Sequence, residues 1–145
     1  MAFDHGKGAV FYIDDGDGPA LRDISSFVSS ADFNRDIDVP ESTVYGQDDR
    51  TYIPGLRGAT LSISGFWDST ATTGIDHILD QIAIKTVTST FIYGPQGDTT
   101  GDLIYTGECL MTSYSISAPV DGIVSFTADF QVTGAVVRDT AWPIA

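Results

Sequence analysis

The sequence predicts a mainly β protein with one helix, and three observations carry that reading. Segments in which polar and apolar residues alternate recur along the chain. Asp supplies 18 of the 20 acidic residues and Glu only two, Glu41 and Glu108, and Asp favours turns and strand ends over helices. Only one stretch carries apolar residues at helical spacing.

The elements follow in order. Gly8–Asp14 (GAVFYID) reads as a strand, closed by a turn-rich Asp14–Pro19 segment. That Asp–Gly cluster lacks the alternate acids and terminal Glu of a calcium loop, so it reads as a polar turn. Asp23–Asp38 reads as a strand pair or one bent strand, with Ile24, Phe27, Phe33 and Ile37 facing inward. About twenty residues without a regular period follow, Val39–Gly58, a length a compact domain rarely tolerates without a purpose. Ala59–Phe66 then alternates, with Leu61 and Ile63 opposite Thr60, Ser62 and Ser64.

The helix is expected over Gly74–Lys85, where Ile75, Ile78, Leu79 and Ile82 form a single stripe. Thr73 is placed to cap it, with Asp76 in a capping-box position and Lys85 at its C-terminal end. Thr86–Tyr93, Leu103–Ser117 and Ile123–Thr133 complete the strands. Residues 1–7 and 138–145 read as a mobile N-terminus and a C-terminal tail of one domain spanning 1–145. At this length folding buries roughly 70% of the unfolded surface, so no staple is needed.

Composition narrows the function. The net charge is −13, which argues against ordinary nucleic-acid binding, because Lys and Arg must neutralise phosphates there. Cys109 is the single cysteine, so no intrachain disulfide or cysteine-based metal site can form, and its apolar setting marks a buried thiol. No apolar run approaches membrane-spanning length and no leader is evident, so a cytoplasmic origin is expected. His5 and His77 are isolated, and His77 with Asp76 or Asp80 on one helix face is weak as a metal site. Asp129 and Glu108 lie on different strands with nothing to mark them as an acid–base pair. Nucleophile elbows, phosphate loops and zinc motifs are all missing. No catalytic, cofactor or metal residue is assigned, and no enzyme activity is expected.

The last strands are more informative. In Ile123–Thr133, Val124, Phe126, Ala128, Phe130 and Val132 oppose Ser125, Thr127, Asp129, Gln131 and Thr133. In Thr112–Ala118, Tyr114 and Ile116 oppose Ser113, Ser115 and Ser117. Together with Thr60, Ser62 and Ser64, three strands offer a face of small hydroxyls with one Asp and no cation. Such a face suits a channel past which a polyanion slides, or a plain water-facing sheet rich in Ser and Thr.

The succession DISSFVSSADFNRDID, STVYGQDDRTYIPGL, ATLSISGFWD, GIDHILDQI and YSISAPVDGIVSFTADFQVTG resembles the major tail (tail tube) proteins of long-tailed, non-contractile bacteriophages. The likeness covers roughly residues 8–137. It implies two packed antiparallel sheets in a sandwich or barrel, one flanking helix and a long inter-subunit loop, an architecture shared with the type VI secretion tube protein. It further implies hexameric rings stacking into a hollow tube around a tape-measure protein, with tail tip and terminator proteins at its ends. The resemblance also implies that double-stranded DNA passes through without specific binding, and that the protein resides in the virion after assembly in the host cytoplasm.

On that resemblance 39–58 is the inter-subunit loop, expected to be mobile before assembly. Tyr45, Tyr52, Ile53 and Leu56 are its apolar anchors, and Arg50 and Arg57 pair with acids of an adjacent subunit. The candidate channel residues are Thr60, Ser62, Ser64, Ser113, Ser115, Ser117, Ser125, Thr127, Asp129 and Gln131. Two rival readings are a terminator ring at the head–tail junction and a soluble ligand- or carbohydrate-binding sandwich. The second would have to recruit Trp67, Trp142, Tyr45 and Tyr52 as its platform.

Overall fold

The computed structural model describes residues 6–14, 21–71, 73–84, 87–97 and 101–140. His5, most of the Asp14–Pro19 turn, Lys85, Trp142 and much of both termini lie outside the described residues. Seven antiparallel strands form one ladder: β1 (Val10–Ile13), β2 (Arg22–Asp23), β3 (Val28–Ile37), β4 (Arg57–Phe66), β5 (Ser89–Gly94), β6 (Ile104–Ser117) and β7 (Ser125–Asp139). Their order is β2-β1-β5-β6-β7-β4-β3. One helix, α1 (Ile75–Ala83), joins β4 to β5.

The mainly β expectation holds, and the two packed sheets prove to be two halves of one ladder. β6 and β7 are shared between the halves and bend where their register shifts between Thr106 and Glu108. There Gly107 faces a bulge of β7 that opens with Gly134 at φ +79°, a left-handed conformation that glycine adopts without steric cost. A Cβ on Gly107 would also meet the Phe91 ring at 3.1 Å. The bend brings β3, at one end of the ladder, across from β5 and the start of β6. Phe33 on β3 stacks on Tyr105 of β6 with centroids 5.1 Å apart, and it reaches Phe91 and Tyr93 of β5. The short link Ile24–Phe27 carries the chain from one end of the ladder to the other and closes the roll. Its anchors are the Ile24 N–H on the Phe11 carbonyl (3.1 Å) and the Phe66 N–H on the Phe27 carbonyl (3.0 Å).

The inward faces meet as predicted. Leu61, Ile63, Phe126, Ala128, Phe130 and Cys109 are buried, and the helical stripe Ile75, Ile78, Leu79 and Ile82 packs into the same core. Ile24 is buried and Phe27 and Phe33 are partly so, but Ile37 is exposed because it lies past the core, opposite Arg57. β7 continues beyond the expected end at Thr133, since Gly134 makes a bulge there and does not stop the strand.

The helix start also differs from the capping box expected of Thr73 and Asp76. Gly74 occupies the N-cap position and no side chain caps the helix. A Cβ on Gly74 would sit 2.6–2.7 Å from backbone atoms of Thr70 and Asp68, so the approach admits only glycine. The Asp76 carboxylate is engaged elsewhere: it accepts from the Tyr114 hydroxyl (2.9 Å) and from Trp67 Nε1 (3.2 Å).

Candidate assembly surfaces

The core-facing residues of β4 and β7 leave the alternate residues pointing the other way, and the register brings those together. Thr60 sits opposite Gln131, Ser62 opposite Asp129 and Ser64 opposite Thr127. On the other side of β7, Ser113 lies opposite Asp129, Ser115 opposite Thr127 and Ser117 opposite Ser125. All ten residues expected on the polar face therefore share one side of three adjacent strands. Ser113 Oγ donates to Asp129 Oδ2 at 2.8 Å, and Gln131 Nε2 donates to the Ala59 carbonyl at 3.0 Å. Both bonds tie side chains down along the face.

A fourth strand, expected within Asp23–Asp38 but not assigned to the polar face, extends this surface. On β3, Ser30, Asp32 and Asn34 sit opposite Ser64, Ser62 and Thr60, and Asp36 sits opposite Gly58. Phe33 fixes the parity of SSADFNRD, but the polar residues on both sides of it left no alternation to mark the strand as part of the polar face. No register position on this face, from Ser30–Asp36 through Ser113–Ser117, holds a Lys or Arg. Asp32, Asp36 and Asp129 make it acidic.

The surface is bounded by two strand edges. Among the described residues β3 is paired on the β4 side only, and Leu110–Ser117 of β6 on the β7 side only. Each edge presents a row of backbone donors and acceptors suited to pairing with another chain.

The segment expected to be irregular, 39–58, carries a ladder of its own. Its backbone bonds run from the Asp38 N–H to the Leu56 carbonyl (2.8 Å), Gly55 to Asp38 (2.6 Å), Ile53 to Pro40 (3.1 Å) and Ser42 to Thr51 (2.7 Å). Gly46, at φ +87°, turns the tip. The result is a two-stranded arm continuing β3 and β4 outward. Tyr45 is fully exposed, Leu56 is 82% exposed, and Tyr52 and Ile53 are about half exposed. Arg50 Nε lies 3.8 Å from Glu41 Oε1 of the same arm, an exposed pair that contributes little to stability. Arg57 stands at the base of the arm with no ion pair among the described residues.

Among the described residues no aromatic binding platform forms. Trp67 is part-buried, and its Nε1 donates to Asp76 and lies 3.1 Å from the Tyr114 hydroxyl, while Tyr45 and Tyr52 are on the arm. Cys109 is buried. Among the described residues no group of three metal-ligating side chains converges, and no helix is long and apolar enough to cross a membrane.

Comparison with known proteins agrees with this geometry. The sequence model of the family described as phage tail tube protein matches residues 4–138. No curated protein matches. Among solved structures, the tail of an empty gene transfer agent particle superposes with a TM-score of 0.77 at 19% identity, covering 94% of this chain and 99% of that one. The SPP1 tail tube gives 0.74 at 11% identity, over 94% and 79%. The sheath–tube complex of an extracellular contractile injection system gives 0.66 at 10% identity, over 95% and 92%. These likenesses establish the fold, while the family match covers nearly the whole chain. The chain belongs to the phage tail tube protein family and is a structural component of the virion tail.

Proposed function

We propose that six copies of this chain close into a ring and that rings stack into a hollow tube whose channel is lined by the polar face of β3, β4, β7 and β6. The whole chain acts as one tail-tube unit. The single observation that carries this reading is the face itself: four adjacent strands of small hydroxyls, amides and Asp, bordered by Phe66 and Leu110, with no cation. DNA passing such a wall meets no Lys or Arg to hold its phosphates, and the Asp carboxylates repel it, so it slides without arrest. Ring closure by pairing the free edge of β3 with the free half of β6 in the next copy would satisfy both rows of backbone groups and leave the ring without edges. The sixfold symmetry of the gene transfer agent tail supports six as the ring number.

The arm carries Tyr45, Tyr52, Ile53 and Leu56 as anchors on an adjacent copy, with Arg50 and Arg57 beside them. The expected partners are a tape-measure protein inside the tube, tip and terminator proteins at its ends, and double-stranded DNA in transit. The role is architectural, with no catalytic step.

Thiol accessibility tests the channel assignment. Thr127→Cys should react with a small maleimide in both free subunits and tubes. In tubes it should resist a maleimide coupled to a polymer too wide for the channel, whereas Ile84→Cys, at the exposed end of α1, accepts both. Equal labelling of the two positions in tubes by the wide reagent sinks the assignment.

A further inference from the structure

Two features at opposite ends of the long strands complement each other. At the base of the arm an open cleft of about 480 Å³ is lined by Arg35, Leu56, Arg57 and the β7 bulge Gly134–Val136. Arg35 lies opposite Ala59 and Arg57 opposite Ile37, so the two are diagonal cross-strand neighbours on the same side of the sheet. Neither has an ion pair among the described residues. In a chain with 20 acids and 7 bases, two neighbouring guanidiniums without a carboxylate are a site left open for one.

The other end supplies a matching shape. Ser125 pairs with Phe66, at the end of β4 away from the arm, so the β6–β7 turn projects from that far end. Its tip carries Val120, fully exposed, Ile123, 67% exposed, and between them the exposed Asp121, which has no ion pair among the described residues. The 10 residues of β4 hold tip and cleft roughly 33 Å apart along a rigid ribbon, so the tip cannot reach the cleft of its own chain.

Resting on the stacked-ring reading, we infer that the Val120–Ile123 tip of one copy seats in the Arg35–Arg57 cleft of a copy in the next ring. The Asp121 carboxylate lies between the two guanidiniums, and Val120 packs on Leu56. The contact is heterologous, since each copy offers a tip at one end and a cleft at the other. Repeating it builds an open stack with one polarity, where a self-complementary patch would stop at a pair of rings. The acidic tip also separates the two ends by charge, so that cleft-to-cleft approach is repelled.

The test uses the full chain in assembled tubes, followed by negative-stain microscopy and sedimentation. Asp121→Arg and the pair Arg35→Asp with Arg57→Asp should each leave single rings and weaken stacking by about a hundredfold. The triple variant carrying both reversals should regain tubes. Leu56→Cys with Val120→Cys in the otherwise native chain should give a disulfide-linked ladder from oxidised tubes, with the buried Cys109 silent. Tubes of native length from Asp121→Arg, single rings from the triple variant, or tubes that yield no ladder would each overturn the inference. A native protein that never stacks defeats the stacked-ring reading itself, an outcome distinct from all of these.

Discussion

Removing one oxygen from Tyr114 asks how firmly α1 is held to the sheet. The Tyr114 hydroxyl donates to Asp76 at 2.9 Å and lies 3.1 Å from Trp67 Nε1, which also reaches Asp76 at 3.2 Å. Three residues from β6, the start of α1 and the segment after β4 thus share one half-buried triangle. A hydrogen bond to a charged group contributes about 1.5–3 kcal/mol, and partial exposure places this one at the lower end. Tyr114→Phe should therefore destabilise by about 1.5 kcal/mol, because the carboxylate keeps Trp67 as a donor. The unfolding entropy expected at this chain length, about 0.3 kcal/mol per degree, converts that to about 5 °C in Tm. Asp76→Ala strands the Tyr114 hydroxyl and leaves Trp67 Nε1 only the Tyr114 oxygen, so it should cost more, about 2–3 kcal/mol. The double variant should fall short of the sum by about 1 kcal/mol, since both changes break the same bond. Thermal and urea unfolding of the four proteins measures all of this. A Tyr114→Phe change below about 1 °C, or strict additivity in the cycle, would refute the triangle as the fastening of the helix.

Two further outcomes are expected. Gly65→Ala should destabilise by about 3 kcal/mol or more, because its Cβ would collide with the Phe27 carbonyl at the β3 bulge, whereas Gly58→Ala, with open space around it, should stay within about 0.5 kcal/mol; equal effects in urea unfolding would contradict the close approach. The Tyr114 hydroxyl is pushed up to about 12, first by burial and then by its bond to Asp76, so the folded chain keeps a proton that the unfolded chain releases near its usual 10. Its contribution is complete below about pH 10 and is lost as the pH rises toward 12; native protein should thus lose more urea resistance between about pH 9 and 11 than Tyr114→Phe, and identical losses would contradict this.

The helix and the polar face were legible because each depends on a period set by burial. The stripe Ile75, Ile78, Leu79 and Ile82 and the alternation through β4 and β7 record one side facing the core. The arm left no such record: Ser42, Thr51 and most of their neighbours stay in solvent on both sides, so its order comes from backbone bonds that are indifferent to side-chain type. The same holds for β3, whose contribution to the polar face was hidden by polar residues at nearly every position. Asp76 illustrates a different limit. Its spacing from Thr73 suited a cap, but a long-range bond to Tyr114, 38 residues away, took the carboxylate instead. Gly134 read as a strand end, when the register of both neighbours carried β7 through it as a bulge.

That the arm and the β6–β7 tip leave from opposite ends of one antiparallel ladder has a mechanical consequence. Tension between those ends pulls along β3, β4, β6 and β7, at right angles to the hydrogen bonds that join them. The bonds are loaded in shear, all together, and no strand can be peeled off one bond at a time. β4 and β7 alone pair over eight successive residues, so a subunit stretched along this axis yields only when the whole register slips. The same bonds pulled sideways would open singly, which makes the subunit stiff along its strands and weak across them.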